Sequence, residues 1–132
     1  MISLLSLALA GPVPVASDGQ VFEGRRIAVV IGVQEYDDPA LQDLQFARKD
    51  AQDMAAVLGS QSFGGFDRVF VVDQEGLTSR GDLEKTLQLA TADLNREDTF
   101  LLYFSGHGTL TLDPVEGSRL WFLPSDARLA DP

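Results

Sequence analysis

The run Ile27-Ala28-Val29-Val30-Ile31-Gly32-Val33 restricts the fold of this chain more than any other segment, because it is apolar without a break and rich in β-branched residues. A strand with one wet face alternates apolar and polar side chains; an unbroken apolar run is what a strand needs when both of its faces are covered. This predicts a central strand of a parallel sheet with helices packed on either side. The following residues supply such helices. Ala47, Ala51, Met54, Ala55 and Leu58 fall at helical spacing among Arg48, Lys49, Asp50 and Asp53, and Gly59 supplies a stop. Beyond the turn-rich Gly64-Gly65-Phe66-Asp67, Val69 to Val72 reads as a second strand. Ser79 and Asp82 then form a start resembling a capping box, and Leu83, Leu87, Ala90 and Leu94 mark one face of a second helix. Thr99 to Phe104 gives a third strand, apolar on both faces, and Leu120 to Leu123 a further extended stretch. Strand, helix, strand, helix, strand is the rhythm of right-handed parallel crossovers, so the predicted class is α/β: a three-layer α/β/α sandwich with a mainly parallel sheet. No internal repeat or low-complexity tract interrupts it.

Composition narrows the function. With 132 residues, 45% hydrophobic and 23% charged, the chain has the make-up of one domain with a packed core. A net charge of −10 repels phosphate backbones and anionic lipid, which argues against nucleic acid as a partner. Cysteine is absent, which removes disulfides, thiolate zinc sites and any cysteine nucleophile within these residues. The first sixteen residues carry no charge, and the apolar run Ile2 to Ala10 is too short to cross a bilayer. Its length suits a signal peptide cut after Ala8-Leu9-Ala10 or Pro14-Val15-Ala16, although the usual preceding basic residues are missing. Residues 1–24 are therefore read as a signal peptide or leader plus linker, outside the fold. The protein is exported in the first case and cytoplasmic in the second.

Ser105-Gly106-His107-Gly108 follows the third strand, at the carboxyl edge where parallel sheets gather ligands, and His107 is the only histidine. Flanking glycines allow a sharp turn and close approach while leaving the imidazole uncovered, as a general base requires. The plainer alternative is a turn whose histidine only caps or hydrogen-bonds. No metal or cofactor site is read here, since a lone histidine without cysteine offers no recognisable ligand spacing.

In order along the chain, Ile27 to Val33 with its exit Gly32-Val33-Gln34-Glu35-Tyr36, Leu44 to Leu58 with Ala47-Arg48-Lys49-Asp50-Ala51, Phe100 to Gly108, and Leu120 to Asp126 with Leu123-Pro124-Ser125-Asp126 resemble the first half of a caspase-like cysteine peptidase domain, the group that includes caspases and metacaspases. The resemblance makes residues 25–132 a partial caspase-like domain, truncated before the nucleophile strand. It implies that His107 assists a cysteine thiolate and that the backbone N–H of Gly108 helps hold the tetrahedral oxyanion. For metacaspase-type members it implies that Asp50 and Ser105 line the pocket for the substrate residue before the cleaved bond. A carboxylate there selects Arg or Lys in a polypeptide substrate. Ala47 departs from the cysteine that metacaspases often carry three residues before that aspartate. As a solvated helix charge beside Arg48 and Lys49, Asp50 has an ordinary reading too.

The nucleophile is missing. In caspases the cysteine comes about 50 residues after the histidine, whereas only residues 108–132 follow it here. The expected function is thus the amino-terminal part of a caspase-like cysteine endopeptidase, inactive alone, with its cysteine beyond residue 132. The alternative is a non-catalytic caspase-like module that binds or regulates a partner. An unrelated flavodoxin-like or nucleotide-binding domain lacks the glycine-rich phosphate loop after the first strand.

Overall fold

The computed structural model describes residues 24–115 and 117–129 together with the backbone of residues 2–3. In chain order its elements are β1 (Ile2–Ser3), β2 (Arg26–Gly32), α1 (Ala47–Gly59), β3 (Arg68–Val72), α2 (Arg80–Thr91), β4 (Thr99–Ser105), β5 (Gly108–Asp113) and β6 (Gly117–Phe122).

The unbroken apolar run becomes the middle strand of a parallel sheet ordered β3-β2-β4, with Val30 in register with Val71 on one side and Tyr103 on the other. Its alternate residues serve opposite layers. Ala28 and Val30 pack with Ala51, Leu58 and Phe66 under α1, while Ile27, Val29 and Ile31 pack with Leu83 and Ala90 under α2. Every residue from Ile27 to Val30 is fully buried. This is the three-layer α/β/α arrangement predicted above.

Small residues set the depth of the first crossover. A Cβ on Gly32 would lie 2.5 Å from the Ala47 carbonyl oxygen and 2.8 Å from Ala51 Cβ, closer than packed atoms allow. Glycine on the strand and alanines on the helix therefore bring α1 directly onto the end of β2. The helix starts without a capping side chain of its own at Phe46; the Gln34 side-chain oxygen accepts the Arg48 N–H at 3.4 Å instead. Helix α2 has the predicted box, Ser79 and Asp82 each bonding the other's backbone N–H.

Four features depart from the expectations. Leu44 lies outside α1, its N–H donating to the Gln34 carbonyl at 2.8 Å. Gly59 is the last helical residue, not a left-handed stop; Ser60 follows in an extended conformation, and the reversed backbone appears later, at Gly65, with φ of 61°. Leu94 falls after α2 has ended, yet still packs against the core. The last concerns β4, whose side chains are half-buried or exposed because, among the described residues, no strand pairs along its outer edge.

Beyond the main sheet, β5 and β6 form an antiparallel hairpin that the Leu120–Leu123 stretch only half announced. Ile2 and Ser3 pair with Phe122 and Trp121 of β6. Both possible cleavage positions fall outside the described residues. Among the described residues no helix is long and apolar enough to cross a membrane.

At the amino end of the sheet, the Arg25 guanidinium and backbone N–H both bond the Asp98 carboxylate, whose side chain is only 1% exposed; the Asn95 N–H bonds it as well. The Arg25 contact, followed by these backbone donors, lowers the carboxyl from its ordinary 3.8 to about 2. A carboxyl depressed on folding contributes stability that is complete above its unfolded pKa and is lost as pH falls through the folded one. The thermal midpoint is therefore expected to drop steeply between about pH 4 and about pH 2. An Asp98→Asn variant should show a flatter acid limb in melts across that range. Parallel wild-type and variant curves would contradict the assignment.

Candidate active site

Because β2 and β4 run parallel and adjacent, their carboxyl ends emerge side by side. Gly32 is in register with Ser105, and the Val33 N–H donates to the Ser105 carbonyl at 2.9 Å. Two loops therefore start from one place on the sheet edge: the exit of β2, through residues 33–46, and the short Gly106-His107 link into β5.

His107 is half-buried in that link and is held at both its main chain and its ring. Its backbone N–H donates to the Tyr36 hydroxyl at 2.7 Å, and its Nε2 lies 2.7 Å from the Gln42 carbonyl oxygen. A carbonyl oxygen accepts and cannot donate, so Nε2 carries the proton of this bond. In the neutral imidazole Nδ1 is then the nitrogen left to take a proton. The Tyr36 ring rests against the imidazole with centroids 4.8 Å apart and planes inclined at 49°. Its hydroxyl donates in turn to the Val33 carbonyl at 3.3 Å. Burial raises the Tyr36 phenol above its ordinary 10, with the His107 N–H partly opposing, so the phenol keeps the proton that this donation needs.

The two glycines beside His107 have different reasons. Neither appears among the glycines of positive φ, which are Gly65, Gly76 and Gly117, so the bend at Gly106 does not by itself require glycine. Close approach does. A Cβ there would come within 2.7 Å and 2.9 Å of the Phe104 ring and 3.0 Å of the Tyr36 hydroxyl. Gly108 opens β5 opposite Phe122, and the hydrogen bond flanking that pair runs from the Leu123 N–H to the His107 carbonyl. In an antiparallel ladder this makes Gly108–Phe122 a non-hydrogen-bonded pair, which directs the Gly108 N–H away from β6 and toward the open side of the hairpin.

Asp50 stands in the first turn of α1, and the Ser105 hydroxyl donates to its Oδ2 at 3.3 Å. Two residues 55 positions apart in sequence, both singled out above, are thus brought together across the β2–β4 carboxyl edge. Asp50 is exposed in this structure. The neighbouring cations bond elsewhere: Arg48 clasps both oxygens of Glu35 at 2.8 Å and reaches the Asp73 carbonyl, while Lys49 pairs with Asp53. These bonds turn the helix's positive charges away from the Asp50–Ser105 pair.

Two participants escaped the sequence reading. The Gln42 contribution is a backbone oxygen, which any residue type carries, so no sequence signal marks it. Tyr36 stood within the exit-loop motif, and a lone aromatic with a hydroxyl among polar loop residues was a signal that went unused. The model of the Caspase domain family matches residues 25–128 of the chain. No curated protein sequence matches it.

Proposed function

The chain belongs to the caspase-domain family, and on that premise we propose that it is the amino-terminal part of a caspase-like cysteine endopeptidase in which His107 is the general base. The observation that carries this reading is the Nε2–H bond of His107 to the Gln42 carbonyl, which leaves Nδ1 to act on a thiol. The sequence holds no cysteine, so the nucleophile is assigned to polypeptide following residue 132. In the reaction, Nδ1 takes the thiol proton and the thiolate attacks the peptide carbonyl carbon. The carbonyl oxygen becomes an oxyanion, and the outward-facing Gly108 N–H is positioned for that charge. His107 then protonates the amide nitrogen as the C–N bond breaks, and water hydrolyses the thioester. As in metacaspase-type relatives, Asp50 with Ser105 forms the wall of the pocket for an Arg or Lys before the cleaved bond; Asp50 supplies the charge and Ser105 orients it.

A second reading, a non-catalytic caspase-like module that binds or regulates a partner, is favoured by one fact, the absence of any thiol from these residues. Fluorogenic peptides ending in Arg or Lys separate the two. The 132-residue chain should release no fluorophore, and the same chain extended through its first downstream cysteine should release it. Cleavage by the short chain that survives His107→Ala purification controls would overturn the cysteine mechanism. A downstream reading frame without cysteine would leave the binding module as the function.

A further inference from the structure

The exit loop of β2 grips His107 from two sides, and the two grips are tied to each other. The Tyr36 hydroxyl accepts the His107 N–H at 2.7 Å, and Gln42 holds the ring nitrogen. Asp43, next to Gln42, accepts the Tyr36 backbone N–H through Oδ1 at 3.0 Å. The Tyr36–Asp43 bond ties the two grips together: the loop closes on itself and presents one phenol and one carbonyl to a single residue. The close approach of Gly106 to the same hydroxyl leaves the His107 link little room to shift.

We propose that Tyr36 is a positioning residue, whose hydroxyl sets the main chain of His107 so that its ring meets the Gln42 carbonyl through Nε2 and keeps Nδ1 free of the proton. The phenol does this as acceptor from the His107 N–H and donor to the Val33 carbonyl, two bonds that phenylalanine cannot make. This goes beyond the peptidase reading, and because it concerns the state of one imidazole it can be tested without a thiol.

His107 is the only histidine, so a chain labelled with 15N-histidine reports one imidazole. With the ring neutral, the wild-type 132-residue chain should show one protonated and one unprotonated ring nitrogen, the pattern of a single Nε2–H tautomer. In Tyr36→Phe both ring signals should move toward the values of a mixed tautomer, and exchange of the His107 amide should accelerate about tenfold. In the thiol-bearing polypeptide the same variant should lower kcat about tenfold with KM little changed. Ring signals and His107 amide exchange identical to wild type would overturn the proposal. A lower thermal midpoint with those signals unmoved would do the same, since it would make Tyr36 a packing residue only. An inactive thiol-bearing wild type would count against the peptidase reading alone and leave the imidazole result standing.

Discussion

Replacing His107 with alanine in the polypeptide that carries the thiol is expected to lower kcat/KM on peptides ending in Arg or Lys by about 10³- to 10⁴-fold. Two functions are lost together. Without the imidazole, the thiol at neutral pH is mostly protonated and a weak nucleophile, and the departing amine has no acid from which to take its proton. What survives is the binding of substrate and the backbone donor at residue 108, which by themselves give only residual turnover. The side chain is half-buried at the end of the sheet and outside both core clusters, so the thermal midpoint should hardly move. Equal unfolding curves with collapsed turnover are the expected pair of results. Activity within an order of magnitude of wild type would remove His107 from the reaction.

Next in size is the effect of Asp50→Ala on selectivity, an expected loss of about 10- to 100-fold in the preference for Arg over a neutral residue before the cleaved bond. The carboxylate is exposed, and a substrate guanidinium seated on it would displace water and form charge-assisted bonds to its oxygens. Ser105→Ala should have a smaller effect in the same direction, because it removes one 3.3 Å bond that orients the carboxylate and leaves the charge in place. Kinetics on a peptide panel varied at that one position measure both variants. An unchanged ratio of basic to neutral cleavage in Asp50→Ala would place the pocket elsewhere, and preference for acidic substrates would reverse its sign.

The main sheet and its helices were legible because each has a strong one-dimensional signature. β2 shows its burial on both faces in an unbroken apolar run, and α2 announces its first turn in the spacing of Ser79 and Asp82. The hairpin was harder to see. Thr109-Leu110-Thr111-Leu112 does alternate, but Leu110 and Leu112 are exposed in the structure, so the pattern is not tied to the core that organises the rest. The apolar composition of β4 points to cover on both faces, whereas burial depends on a neighbour that composition does not reveal. In the site, His107 stands out by residue type and by its place after the third strand, whereas Gly108, Asp50 and Ser105 enter only through the resemblance to caspase-like peptidases. That Asp50 meets Ser105 follows from the packing of α1 on the end of β2 together with the parallel register of β2 with β4. The Gln42 carbonyl is a property of a loop's path and has no counterpart in the alphabet of side chains.

The glycine and alanine contact between β2 and α1 carries a consequence for how selectivity can drift. Ala47 opens the helix that bears Asp50, and Gly32 sits beside Ser105 in the sheet register, so the gap closed by those small side chains is also the gauge that spaces the carboxylate from the hydroxyl. A single added methyl at Gly32 cannot be absorbed by backbone atoms 2.5 Å away and must lift the start of the helix. The pocket would then widen with every residue of its lining unchanged. The proposed preference for a basic side chain would then depend in part on the core, at a position set back from the Asp50–Ser105 pair.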